Sequence, residues 1–179
     1  MKKCRICKKE FEPFNSLATA CSGKCALELV KQKKDKKHKR ELTTFRNENK
    51  TLQKRIDEAQ ASFNAYIRER DKYKPCVSCG ATESPRWDCG HYRARGGLGG
   101  HLRYHTLNAW KQCSKCNTFL SGNIVEYRKE LINRIGAERL DELDNDYQTV
   151  KFTKEYLIRI KKIFAERTRH LKRIRSKSL

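Results

Sequence analysis

The chain has 179 residues, with 42 Lys and Arg against 21 Asp and Glu, nine cysteines and a formal net charge of +21. Only 37% of it is hydrophobic and 35% is charged, which argues against one large apolar core and against any membrane span, since a span needs ~18 consecutive apolar residues. So large a positive excess points to a polyanionic partner, nucleic acid first. The opening Met1-Lys2-Lys3-Cys4 is charged instead of apolar. No signal peptide is therefore expected, and the chain is expected in a reducing cytoplasm, where cysteines serve as metal ligands sooner than as disulfides.

The first element is a cysteine set, Cys4-x2-Cys7 followed by Cys21-x3-Cys25. Four soft thiolates at this spacing can close a tetrahedron around zinc and staple a module too small to hold itself together. This predicts a zinc knuckle or treble clef over residues 1–29, with Phe11, Pro13 and Phe14 packed over it and Ala26–Leu29 starting a helix. Residues 26–75 hold fifteen basic and eight acidic residues and no cysteine. Lys31–Arg40 contains seven basic residues, a pattern that suits a solvated helix face or a phosphate-contacting patch. Beyond it Leu42, Phe45, Asn49, Leu52, Ile56, Ala59, Phe63 and Tyr66 recur in steps of three and four. That is a heptad stripe with one polar position. It predicts a basic helical arm over 30–75, laid on the chain's own centre or forming the coiled-coil seam of a homodimer.

A second set, Cys76-x2-Cys79 and Cys113-x2-Cys116, brackets a long insert. Two CxxC pairs again predict structural zinc. A zinc knuckle alone does not account for Asp88-Cys89-Gly90-His91, for Asn108, or for Asn117 directly after the last cysteine. Cys89 is the ninth cysteine and reads as a small buried thiol. Gly96-Gly97-Leu98-Gly99-Gly100 has no following Gly-Lys-Ser/Thr, so it reads as a turn and not as a phosphate loop. Residues 124–150 are acidic, with seven acidic against four basic residues, and residues 151–179 strongly basic, with eleven against two. Within the latter Tyr156, Leu157, Ile160, Ile163, Phe164, Leu171 and Ile174 follow helical spacing. The expected fold is α+β, small and helix-rich: a zinc module over 1–29, the basic arm over 30–75, a zinc-stapled centre over 76–135 and a basic helical arm over 136–179.

The order Cys-x2-Cys, Gly-His, Leu-Asn, Cys-x2-Cys-Asn resembles the zinc-stapled HNH, or ββα-metal, nuclease motif. Asn64-Ala65-Tyr66-Ile67-Arg68-Glu69-Arg70-Asp71, Pro75–Gly80, Gly90-His91-Tyr92-Arg93, Lys111-Gln112-Cys113 and Ser121–Val125 are further similar to the phage NinG (Rap) recombination proteins. The resemblance implies a structure-selective DNA endonuclease that hydrolyses phosphodiester bonds in branched recombination intermediates such as Holliday junctions and D-loops, in the bacterial host cytoplasm. The alternative is a non-catalytic zinc-containing DNA-binding accessory protein. Carried over residue by residue, His91 is the general base, Asn108 orders the loop and Asn117 binds the catalytic cation. HNH enzymes usually place an acidic residue or a His directly before the base, where this chain has Gly90, which leaves Asp88 as a further ligand candidate. NinG relatives also have a His before the Lys-Gln-Cys stretch, where this chain has Trp110; His101 or His105 could replace it, or nothing does.

Such chemistry needs an activated water, neutralisation of phosphate charge and help for the leaving 3′-oxygen. Imidazole suits the first, with an ordinary pKa near 6.5. A hard cation held by oxygens suits the others. The expected cofactors are two structural Zn²⁺ and one catalytic Mg²⁺ or Mn²⁺. Arg93, Arg95, Arg103, Lys111 and Lys115 are expected at DNA phosphates. No base-reading helix stands out, so the expected partner is branched or single-strand-containing DNA recognised by shape and backbone.

Overall fold

Two hydroxyl side chains decide where the first long helices start. Ser22 Oγ accepts the backbone N–H of Cys25 at 3.3 Å and opens α1 (Gly23–Glu48). Thr51 Oγ1 accepts that of Lys54 at 3.2 Å and opens α2 (Leu52–Arg70). Each satisfies one N–H that a helix start leaves without an intrahelical partner. The computed structural model describes residues 1–177, and the backbone alone of residues 97–99. It divides into two compact units that meet in sequence at Lys50 and Thr51. Among the described residues no helix is long and apolar enough to cross a membrane.

The first unit pairs β1 (Lys2–Lys3) antiparallel with β2 (Glu10–Phe11), Lys2 opposite Phe11. The turn between them folds back on itself: Cys4 N–H donates to the Lys9 carbonyl at 2.9 Å and Lys8 N–H to that of Cys4 at 3.0 Å. Cys4 and Ala18 are buried here, whereas Phe14 is 88% exposed and does not pack over the knuckle as the sequence suggested. Helix α1 buries no residue along its 26 positions.

The second unit is built on a hairpin covered on both faces. Strand β3 (Trp87–His91) pairs antiparallel with β4 (Ala109–Cys113), Trp87 opposite Cys113 and His91 opposite Ala109. Side chains alternate across a strand, so Cys89 and Ala109 point to one face and Trp110 to the other. The first face packs on α2 and on α5 (Lys154–Arg175), in a core of Ala59, Phe63, Ile67, Tyr104, Leu157 and Phe164. The second packs on α3 (Ile124–Ile135) and α4 (Ala137–Asn145) through Val77, Tyr127, Leu131 and Leu140. Gly136, at φ +84°, ends α3 in the conformation that glycine adopts without steric cost. A 3-10 helix over Gly97–Tyr104 connects the strands, and a π-helical turn over Lys115–Phe119 follows β4. The glycine cluster therefore leads into helical backbone instead of an open turn.

The heptad stripe is not one helix. It breaks at Asn49, whose side-chain amide returns to the Phe45 carbonyl at 2.9 Å. The half beyond the break is used within the chain. Ala59, Phe63 and Ile67 are fully buried, with Phe63 edge-on to Phe164 at 4.8 Å between ring centres. Lys161 pairs with Glu58 at 3.0 Å and Arg175 with Glu69, so α2 and α5 run parallel. The expected arm over 30–75 therefore divides, and the basic helix of 136–179 is a packed partner of α2 and not a free arm. Leu42 and Phe45 of α1 stay exposed.

At the C-cap of α2 an ion pair fixes the hairpin. Asp71 is fully buried and accepts Arg70 Nε at 2.9 Å and Nη2 at 2.6 Å. It also accepts the backbone N–H of Lys111 at 3.2 Å. Arg70 reaches on to the Thr106 and Ala109 carbonyls at 2.8 and 2.9 Å, and its guanidinium lies 4.1 Å from the centre of the Trp110 ring. Removing one partner of a buried pair leaves the other uncompensated. Asp71→Ala is expected to lower the unfolding free energy by about 3–5 kcal/mol in urea denaturation. Glu126→Ala, which breaks the exposed pair with Lys129, is expected to cost less than about 1 kcal/mol.

Candidate metal centres and active-site cleft

In each cysteine set the four sulfurs lie within 4.8 Å of one another. Tetrahedral zinc with Zn–S bonds of about 2.3 Å spaces its sulfurs about 3.8 Å apart. The observed Cys21–Cys25 and Cys79–Cys113 separations are 3.7 Å each, and Cys7–Cys21 is 3.4 Å. Backbone N–H groups already point at the sulfurs, from Cys21 to Cys4 at 3.4 Å, from Cys113 to Cys76 at 3.3 Å and from Cys116 to Cys113 at 3.4 Å. Such donors favour thiolates. Both sets could hold zinc, Cys4, Cys7, Cys21 and Cys25 in the first unit and Cys76, Cys79, Cys113 and Cys116 in the second. Cys89 stands apart: burial pushes its thiol up to about 12, so it remains a protonated core residue.

Beside the second set a cleft of about 630 Å³ runs along the free edge of β3. Residues of both faces of the strand reach it there, which is how Asp88 and His91, of opposite parity, border one space with Asn117. Asn117 Nδ2 donates to Asp88 Oδ2 at 3.1 Å, and Arg86 donates to both oxygens of the same carboxylate at 3.1 and 3.2 Å. Among the described residues Asp88 is the only carboxylate that lines the cleft, and Arg68, Arg86 and Arg95 are the cations that line it.

His91 is largely buried, with its ring 5.8 Å from that of Phe63. Burial, reinforced by the charges of Arg95 and Arg103 and opposed by carbonyls of Arg103 and Cys89, pulls its pKa down to about 4. The imidazole is therefore neutral at pH 7. Its Nε2 lies 3.0 Å from the Arg103 carbonyl oxygen. A carbonyl only accepts, so this contact favours the tautomer with its proton on Nε2.

Gly90 is required by packing. A Cβ built there would lie 2.1 Å from Gln112 Oε1. Gln112 is fully buried and fixed through Nε2 to Ser78 Oγ and the Gly122 carbonyl, both at 2.6 Å. Asn108 is also fully buried. Its Oδ1 accepts the Arg93 N–H at 2.8 Å, and its Nδ2 donates to the carbonyls of Arg93 at 3.1 Å and Leu102 at 3.2 Å. It thus ties the end of β3 to the segment that supplies the Arg103 carbonyl.

A family model described as Bacteriophage Lambda NinG protein matches residues 1–174. The chain belongs to the NinG family. It is 35% identical to Protein ninG of Escherichia phage 933W, an alignment covering 99% of this chain and 96% of that one. It is 37% identical to Protein ninG of Enterobacteria phage H19B, covering 98% and 94%. To Protein ninG of Escherichia phage lambda it is 42% identical, over 69% of this chain and 60% of that one. No solved structure matches it.

The five basic residues expected at phosphates separate in this NinG chain. Arg95 is exposed and lines the cleft, and Lys115 is exposed on the π-helical turn. Lys111 is a correction: it is buried, donating Nζ to the Lys72 carbonyl at 2.9 Å with its ammonium 4.1 Å from the Trp87 ring centre. Arg93 closes the C-terminus of α4 through the Leu143, Asp144 and Asp146 carbonyls. Arg103 donates to Gln60 Oε1 at 3.3 Å. His101 pairs with Asp146 at 2.8 Å, and neither it nor His105 lines the cleft. Asn64 and Arg68 of α2, together with Arg86, do line it and were not among the residues the sequence suggested. The signal was available for two of them, because they follow the buried Phe63 and Ile67 by one position and so flank the packed stripe.

Proposed function

We propose that this NinG chain is a metal-dependent, structure-selective DNA endonuclease of the HNH type, acting on branched recombination intermediates. The observation that carries the reading is the meeting of His91, Asp88 and Asn117 in one arginine-bordered cleft, at the end of a hairpin that a thiolate cage and a following helix hold in place. In this reading neutral His91 accepts a proton from water at its unprotonated ring nitrogen while its other ring nitrogen keeps its N–H on a backbone carbonyl. The resulting hydroxide attacks phosphorus, the P–O3′ bond breaks, and the electron pair leaves on the 3′-oxygen. Arg95, Arg68 and Arg86 offset the charge of the phosphate. Asp88 and Asn117 offer the hard oxygens that would hold Mg²⁺ or Mn²⁺, which when bound neutralises the phosphate and the leaving oxygen. Asn108 is a positioning residue.

The test is cleavage of matched junction, fork, loop and linear duplex DNA by the full chain with Mg²⁺ or Mn²⁺, at one salt concentration because phosphate contacts dominate affinity. Preferential cutting of branched forms supports the reading, and cutting of all forms alike leaves an ordinary nuclease. A second reading, a non-catalytic DNA-binding accessory protein, is favoured by one observation. Asp88 is already engaged by Arg86 and Asn117, and among the described residues no group of three His, Cys, Asp or Glu outside the two cysteine sets is arranged around a common point. DNA binding without cleavage under every divalent condition would select it.

The depressed pKa of His91 gives a further expected result. The folded value of about 4 lies below the ordinary 6.5, so the unfolded chain takes up the proton first as pH falls. Stability is present in full above about pH 6.5 and is lost progressively down to about pH 4, by about 3 kcal/mol from this group. Urea denaturation at pH 7 and pH 4.5 is expected to show that loss in the wild type and a smaller one in His91→Gln. Base ionisation likewise leaves cleavage flat between pH 6 and 8 instead of falling through 6.5.

A further inference from the structure

Four large apolar side chains stand in solvent within seven consecutive residues: Phe119 at 79% exposure, Leu120 at 48%, Ile124 at 40% and Val125 at 69%. They belong to the segment that leaves the second cysteine set, and the residues on both sides of Phe119 and Leu120 border the cleft, Asn117 and Thr118 before them and Ser121 and Gly122 after them. The backbone holds this tip firmly. Leu120 N–H donates to the Lys115 carbonyl at 3.0 Å and Gly122 N–H to that of Cys116 at 2.8 Å. Gln112 grips the Gly122 carbonyl from beneath. Ser121, Gly122 and Asn123 all have positive φ, at 48°, 93° and 43°, a conformation that costs free energy at the two non-glycine positions. The fold thus bears backbone strain at a turn that leaves an aromatic ring outside the core.

Building on the endonuclease reading, we infer that Phe119 is a stacking platform for an unpaired base beside the phosphate held in the cleft. Three observations favour this occupant. An aromatic face stacks on any base without regard to sequence. The neighbouring cleft presents Arg68, Arg86 and Arg95, and Lys115 is exposed on the same turn, so the surroundings suit a phosphate backbone. A tip fixed at both ends binds without the entropy cost of ordering a loop. Within a continuous duplex the base faces are stacked on one another, whereas a fork, a loop or a single-stranded end leaves an unpaired base whose face can be taken up. Phe119 therefore supplies the preference for branched or single-strand-containing DNA, and the arginines supply affinity common to all forms.

The experiment uses the full zinc-bearing chain, with His91→Ala added to stop cleavage during binding. The probes are a forked DNA carrying 2-aminopurine as the first unpaired base and a covalently closed circular duplex, which has no open end. Phe119→Ala is expected to weaken fork binding by about tenfold, the lower part of the range for losing one stacked base. It is expected to abolish quenching of the 2-aminopurine and to leave duplex binding unchanged, while Phe119→Tyr retains all three properties. Equal loss on fork and duplex, no loss on either, or a Phe119→Ala protein that differs from wild type in light-scattering mass, as for a self-association patch, would overturn the proposal. Failure of this inference and of the endonuclease reading are separable. Cleavage by a wild-type background that is indifferent to Phe119 defeats only the stacking role. Phe119-dependent fork binding by a wild-type chain that never cuts defeats only the nuclease.

Discussion

His91→Ala is expected to reduce cleavage of branched DNA by about 10²–10⁴-fold, the usual contribution of a positioned general base, with binding of the same DNA unchanged. The expectation rests on three features of the site: a neutral imidazole at pH 7, a backbone carbonyl that holds the ring through Nε2, and a position in the arginine-bordered cleft. Because His91 also packs against Phe63, loss of activity alone would not separate chemistry from folding. His91→Gln, which keeps a polar side chain of similar reach, should melt near the wild type and still fail to cut. If either variant cleaves at the wild-type rate, His91 is not the base. If both bind DNA normally and the wild type does not cut, the accessory reading gains what the nuclease loses.

The second large effect concerns the thiolate cages. Zinc binding to small modules contributes about 10–16 kcal/mol of apparent folding free energy, which equals or exceeds the ~5–15 kcal/mol by which a typical domain is stable at all. Cys113→Ser is therefore expected to release one zinc, to unpair the end of β4 from Trp87, and to abolish both cleavage and the cooperative unfolding transition of the second unit. Cys7→Ser is expected to release the other zinc while leaving that transition in place, since the units are separate in the chain. Metal content by mass spectrometry, expected to fall from two zincs per chain to one in each variant, provides the check. Cys89→Ser, at a buried thiol outside both sets, should keep both zincs. A wild-type protein with no zinc, or a Cys113→Ser protein that unfolds as the wild type does, would remove the structural role.

Much of this was legible because ligand chemistry constrains spacing. Eight cysteines in paired spacing announce their cages, and the resemblance to the HNH motif, not the spacing, singled out His91, Asn108 and Asn117 between and after the pairs. Other features were hidden by competing signals. Heptad spacing across residues 42–66 outweighed the Asn49 and Thr51 caps, although a Thr before a helical run is itself a start signal. Reading α2 as an arm then hid Asn64 and Arg68 from the cleft they line. Lys111 looked like a phosphate contact because lysines are seldom buried. Its place in the alternation Ala109, Lys111, Cys113 on a sheet covered on both faces decides otherwise. Gly90 looked like a missing ligand, and only the position of Gln112 shows why no side chain stands there.

That last contact makes positions 90 and 112 a single unit of change. An acidic residue at 90 would have to displace Gln112 Oε1, and Gln112 in turn holds Ser78 of the zinc turn and Gly122 beneath the Phe119 tip. A side chain cannot be added at position 90 by one substitution without moving Gln112 and so disturbing the Ser78 turn on one side and the Gly122 turn on the other. The effects of changing the two positions are therefore non-additive by construction. A smaller residue at 112 is the change that would make room for a side chain at 90, so the packing behind the strand decides what can stand directly before His91.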